Sequence, residues 1–221
     1  MPAVARRRAP ISSVMKELQS SRADTASIVS KLIESPGSIP EILRGLSSDV
    51  ARVRLGSAKV LRLLSEQSPS LLYRYFNAFV QMLDSDNAFL RWDATRIIGN
   101  LAAVDHQDKL EGILDRLMEH ITDREMIGAA TSIQSAARIA LAKPHLADTL
   151  AKHILKVEFG IYKTPECRNI AIGHAIGALD QYFREIHELR QDVIEFVLRQ
   201  RVNPRPATRK KAEAFFEKGM L

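Results

Sequence analysis

Cys167 and His174 stand seven residues apart in a stretch of helical apolar spacing, so a thiol and an imidazole share one helix face. Such a pair could serve a metal ion or a Cys–His nucleophile. A metal site usually wants three or four ligands, and the chain has no second cysteine. Two helical turns also separate the pair by about 10 Å, too far for the thiol to pass a proton to the ring. Both fall near the buried side of their helix, so a core cysteine and a hydrogen-bonded histidine are expected. Asp105, His106 and Asp108 make a second cluster, of types that bind metals or act as acid and base. Their place between two helices makes them caps instead, with Asp105 the N-cap. His120, His145, His153 and His187 are scattered. There is no glycine-rich phosphate loop, zinc-peptidase histidine pair or Gly-x-Ser-x-Gly elbow. The expectation is therefore a protein that is not an enzyme, with no catalytic residue, no cofactor and no metal.

Binding chemistry is better represented. Phe89, Trp92 and Arg96 follow one another at i, i+3 and i+7, which aligns them on one helical ridge. Aromatic side chains beside an arginine on a wet face have the composition of a binding hot spot. The segment from Arg199 to Lys211 carries six cations and no acid, a pattern that fits either an anionic partner or a solvated end cap. The net charge of +6 is unevenly placed: residues 1–8 contribute +3 and residues 199–221 contribute +5, leaving the body at −2. A protein that grips a phosphate backbone along its length would carry positive charge along its whole groove. Nucleic acid is thus a weaker expectation than protein.

The elements that position these residues recur. Asp49 opens a helix in which Arg54 is followed by Ser57, Leu61 and Leu64. Asp86 opens another in which Arg91 is followed by Ala94, Ile98 and Leu101. The pattern returns as Arg168, Ala171, Ala175 and Ala178, and more loosely as Arg209, Ala212 and Phe216. Between these helices lie apolar residues at helical spacing, such as Leu110, Ile113, Leu114, Leu117 and Ile121. Capping boxes at Ser38–Glu41 and Thr122–Glu125 and prolines at 69, 144 and 165 punctuate the run. No stretch alternates with period two. The reading is all-α, with first helices over about 38–46, 69–84, 107–121, 145–158 and 186–200. The second helices cover about 49–66, 86–103, 123–142, 165–183 and 205–219. Shorter helices over Ile11–Ser20 and Asp24–Glu34 precede them as N-terminal caps.

The marker arginine advances 37 residues from Arg54 to Arg91, 77 to Arg168 and 41 to Arg209. Over residues 38–219 this period, with the Asp49…Val53-Arg54 and Asp86…Leu90-Arg91 steps, resembles HEAT-repeat proteins of prokaryotic type. The third repeat departs, because Gly128 stands where the arginine would be, so a polar ladder along the repeats should break there. The resemblance implies a right-handed alpha-alpha superhelix, a HEAT-like solenoid of about five helix pairs, whose second helices line a concave side. Residues 11–221 would form a single solenoid domain behind a basic, disordered leader, 1–10.

Taking Ser57 and Leu61 as buried, the opposite ridge is Arg52, Leu55, Lys59, Arg62 and Glu66 in the first second-helix. It is Phe89, Trp92, Arg96 and Gly99 in the next, then Glu125, Gly128, Ser132 and Ser135, then Glu166, Asn169, Gly173 and Asp180. The last helix contributes Ala207, Lys210 and Ala214. Partner-binding residues are accordingly expected at Arg52, Lys59, Arg62, Phe89, Trp92, Arg96 and Asn169. The small residues of the third helix serve close helix approach.

Solenoids are usually binding surfaces, so the expected function is a non-enzymatic scaffold or adaptor that binds another protein, or an acidic peptide segment, on its concave face. The alternative is a DNA-binding HEAT-like protein related to alkylation-repair DNA glycosylases, which pair a basic channel with tryptophans and a carboxylate. Glu66, Glu125, Glu166 and Asp180 on the expected groove disfavour it. One cysteine, no secretory signal and no apolar run near the roughly 20 residues of a membrane span point to the cytoplasm and away from membranes.

Overall fold

A computed structural model describes residues 13–20 and 23–217. Among the described residues the chain is all-α, with thirteen α-helices, short 3-10 turns and no strand. The expected leader, residues 1–10, lies outside the described residues, as do the first residues of the expected helix from Ile11 and the last of the helix to 219. Two compact units divide between Leu71 and Leu72.

The first unit holds α1 (Ser13–Gln19), α2 (Thr25–Glu34), α3 (Ile39–Gly45) and α4 (Ala51–Gln67). Asp24 caps α2 by accepting from the amides of Ala26 and Ser27 at 3.0 and 3.3 Å. Ile28, Val29 and Leu32 of α2 and Val60, Leu61 and Leu64 of α4 are fully buried where the two helices pack. Each such side chain stabilises the fold by about 1.5–3 kcal/mol. The Ser38–Glu41 box does not form, because Pro36 starts a 3-10 turn that runs straight into α3 and leaves Ser38 no capping bond.

The second unit begins within α5 (Ser70–Tyr73) and holds α6 (Phe76–Met82), α7 (Ala88–Leu101), α8 (Leu114–Met118), α9 (Met126–Ala142), α10 (Ala147–Leu155), α11 (Pro165–Tyr182), α12 (Arg190–Arg199) and α13 (Pro206–Glu217). Here α6, α8, α10 and α12 back onto a layer of second helices in which α7 packs on α9, α9 on α11 and α11 on α13. The expected first helices are broken into pieces. Residues 69–84 resolve into α5 and α6, and a 3-10 turn precedes both α8 (111–113) and α10 (144–146). A short turn, a first helix and a long second helix make one repeat.

The recurrent arginine is a brace. Arg54 donates to the Ser48 carbonyl at 2.6 Å, Arg91 to Ser85 at 2.7 Å and Arg209 to Asn203 at 2.8 Å. Arg168 donates to Gly160 at 3.2 Å. Each ties the start of a second helix to the turn that leads into it. The third repeat has no such brace, as its Gly128 required. Its turn is held by the next repeat instead: the Tyr162 hydroxyl donates to the Ile121 carbonyl and the Ile161 amide to Thr122 at 3.0 Å. The Thr122–Glu125 box is also unformed, since Asp123 is extended and Glu125 precedes α9 without a side-chain capping bond.

Gly112 shows where a glycine is not required. Nothing lies within 4 Å of a Cβ placed there. Gly112→Ala should therefore stabilise the protein by about 0.4–1 kcal/mol by restricting the unfolded chain. Urea denaturation followed by circular dichroism reads this directly, and a loss of stability would show that the 111–113 turn needs glycine.

Candidate functional site

The second-helix layer of the second unit presents one uncovered ridge. On α7 it runs through Phe89, Trp92, Asp93, Arg96 and Asn100, and on α9 through Ile127, Gln134, Arg138 and Leu141. On α11 it runs through Ile170, His174, Gly177 and Gln181, and on α13 through Ala207, Lys211 and Ala214. This corrects the expected faces of α9 and α11 by about one residue. Gly128, Ser132, Ser135 and Gly173 are buried, as is Gly99. The cause is that a second helix has neighbours on both flanks, so only a narrow strip stays wet. The small residues mark the flanks where backbones meet. A Cβ on Gly99 would stand 2.9 Å from the Ser135 side chain, and one on Gly173 2.9 Å from Thr208 Oγ1. Hydroxyls stitch those seams: Ser135 donates to the Thr95 carbonyl at 3.0 Å and Thr208 to Asn169 at 2.8 Å.

Phe89 is 60% exposed and meets Trp92 edge-on, with ring centroids 5.1 Å apart at 70°. Trp92 is half-buried, its indole Nε1 only 3.5 Å from where a Cβ on Gly128 would sit. Arg96 is half-buried and pinned by Asp93 Oδ1 and Thr131 Oγ1, both at 3.3 Å. Asn169 stands apart from these three, because α9 lies between α7 and α11. Its amide oxygen accepts from Asn203 at 3.2 Å, which joins α11 to the turn before α13. In the first unit Arg52 and Lys59 are exposed on α4, whereas Arg62 pairs with Glu66 at 2.7 Å.

The loop cluster is a buried staple. Asp105 accepts from the Tyr73 hydroxyl at 2.6 Å and from the amides of Lys109 and Leu110 at 3.0 and 3.1 Å. Lys143, just past α9, reaches Asp105 Oδ2 at 3.4 Å, the Asp105 carbonyl at 2.9 Å and Asp108 Oδ1 at 2.5 Å. Asp105 is thus a cap for the 109–110 turn, and Asp108 holds a left-handed φ of 53° there. Burial alone would raise the Asp105 carboxyl, but the Tyr73 hydroxyl, two amides and Lys143 outweigh it and hold it below its ordinary value. Burial likewise works against the Lys143 ammonium, and its two carboxylates reverse that and raise it.

Cys167 and His174 are both half-exposed, contrary to the expected core placement. The Cys167 amide is capped by Thr164 at 3.1 Å, and His174 Nδ1 lies 3.5 Å from Gln134 Nε2. His174 borders a cavity of about 300 Å³ together with Gln134, Arg138, Gly177, Gln181 and Lys211. Sequence reasoning took Lys211 for an end cap and passed over Gln134 and Arg138. The signal was present: those two are the only long polar side chains in α9, one helical turn apart.

No family model matches the chain, and no curated protein does. Solved structures do. The chain is similar to a designed armadillo repeat protein, with TM-score 0.65 and 16% identity over 92% of this chain and 97% of the other. A computationally designed armadillo repeat protein for modular peptide recognition aligns equally well, with TM-score 0.65 and 16% identity over the same shares. A third, a designed armadillo repeat protein in complex with the peptide (KR)4, aligns with TM-score 0.58 and 15% identity over 92% of this chain and 97% of the other. The fold is that of armadillo-type helical repeats. No helix among the described residues is long and apolar enough to cross a membrane.

Proposed function

We propose that the chain is a non-catalytic binding module whose second-helix ridge in the second unit holds an extended segment of another protein. The observation that carries this is the Phe89–Trp92 pair. An exposed phenylalanine is fixed against a half-buried tryptophan, next to an arginine already held by Asp93 and Thr131. Side chains ordered before binding lose little entropy on contact, which is what anchors a partner. The armadillo-type neighbours support the reading, since two of them are described as recognising or holding peptides. The bound peptide in one case is basic, whereas the ridge here carries Arg138 and Lys211. An acidic segment is the partner these charges favour.

Selection from a random displayed peptide library tests this. Segments enriched on the protein should bind Phe89→Glu at least about tenfold more weakly, as expected for a central aromatic anchor. The unfolding midpoint should barely move, because Phe89 is 60% exposed. Phe89 is the cleaner probe, since Trp92 also rests against α9 and its loss would disturb packing. Enriched segments that bind the variant as tightly as the native chain would remove the aromatic pair from the site.

A further inference from the structure

We infer that the cavity between α9, α11 and α13 is a pocket for a carboxylate, the acidic side chain of the segment held on the ridge. The inference deepens the binding reading above and rests on it. Its lining is basic: Arg138 comes from α9, His174 from α11 and Lys211 from α13, with the amides of Gln134 and Gln181 also on its wall. No acid lines it. Among the described residues no carboxylate pairs with Arg138 or Lys211, which are exposed at the rim, or with the half-buried His174. Lys211 is aimed inward, where its ammonium donates to the Gly173 carbonyl at 2.8 Å. Gln181 is turned back onto the Gly177 carbonyl at 2.8 Å, which keeps that side of the cavity open. α9 and α13 therefore bring two like charges to a cavity that provides no counter-charge, with the His174 imidazole of α11 beside them, an arrangement that an incoming anion relieves.

The volume of about 300 Å³ admits a glutamate side chain with bridging water rather than a folded surface. Burial and then the nearby charge of Arg205 push the Lys211 ammonium down, and burial, Lys211 and Arg205 push the His174 imidazole down. The charged groups around His174 are Lys211 and Arg205 from the α13 side and Arg138 from α9 across the cavity; Glu166 is already engaged with Arg205 at 2.8 Å. A bound carboxylate favours the protonated imidazole, so binding strengthens as pH falls below the ordinary imidazole value of about 6.5 toward the lowered value of the free protein.

The test uses the full chain and a fluorescently labelled hexaglutamate peptide, read by anisotropy. Arg138→Met and Lys211→Met should each weaken binding by about tenfold, the loss of one charge-assisted hydrogen bond. Lys152→Met, an exposed charge on α10 in the other layer, should leave it unchanged, and His174→Gln should flatten the pH dependence. Equal weakening by Lys152→Met would reduce the effect to net charge and overturn the pocket. Displacement of the peptide by millimolar inorganic phosphate, or tighter binding of a short DNA duplex than of the peptide, would overturn the carboxylate in favour of a phosphate. Library segments that depend on Phe89 but bind Arg138→Met and Lys211→Met normally would sink the pocket alone. Hexaglutamate that depends on the two cations, with no segment selected through Phe89, would sink the extended-segment reading instead.

Discussion

Lys143→Met is expected to destabilise the protein by about 3–5 kcal/mol, the cost of stranding a buried charge by removing its partner. The Asp105 side chain is 0% exposed and that of Lys143 8% exposed. Without the ammonium, the Asp105 carboxylate keeps the Tyr73 hydroxyl and two amides but loses its only cation. The Asp105 carbonyl loses a donor as well. Urea denaturation at neutral pH measures the loss. Adding Asp105→Asn to Lys143→Met should recover part of it, because the stranded charge is then gone. A cost under about 1 kcal/mol, the value of an exposed pair, would mean that the staple is solvated in solution.

The same pair sets a pH window. The folded carboxyl of Asp105 lies below its unfolded value of about 3.9, so its contribution is complete above that pH and disappears as pH falls through the folded value. The folded ammonium of Lys143 lies above its unfolded value of about 10.4, so its contribution is complete below that pH and is lost as pH rises further. Burial also raises the Tyr73 hydroxyl above its ordinary value, so stability from the staple should be flat from about pH 4 to about 10, and Lys143→Met should shrink the alkaline limb to the share of Tyr73.

Gly99→Val is the second large effect, expected at about 3 kcal/mol or more, the upper range for overpacking. A Cβ there stands 2.9 Å from Ser135 Cβ and Oγ and 3.2 Å from Ser135 Cα. Those atoms belong to the facing helix and cannot swing aside, so α7 and α9 must separate. Even Gly99→Ala should destabilise, although alanine is the better helix former by about 1 kcal/mol. Ser135→Gly should rescue Gly99→Ala in part, and coupling between the two, read from the four-variant cycle, locates the contact. Additive effects would place the clash elsewhere.

These two sites show what was legible in the sequence. The helices were, because their apolar residues recur at three and four, and Pro144 and Pro165 mark real starts. The crossing of α7 and α9 was half legible: the small residues of α9 announced close approach, but not that Gly99 and Ser135 meet. Ridge phase was carried over from α4, whose exposed strip it described well, and failed on α9, where neighbours on both sides bury Gly128, Ser132 and Ser135 alike. The staple was invisible, because Tyr73, Asp105 and Lys143 lie more than thirty residues apart in sequence and only folding joins them. The pocket was missed for a similar reason: each of its cations sits alone on its own helix.

The missing arginine of the third repeat gives the array a direction. The turns before α4, α7 and α13 are clasped by an arginine from their own repeat, and so is the one before α11. The turn before α9 borrows its clasp from Tyr162 and Ile161, which belong to the following repeat. Repeats of this chain are therefore not interchangeable modules. A boundary drawn after Val104 leaves every retained turn self-sufficient, whereas one drawn after Phe159 leaves the α9 turn with its latch on the discarded side.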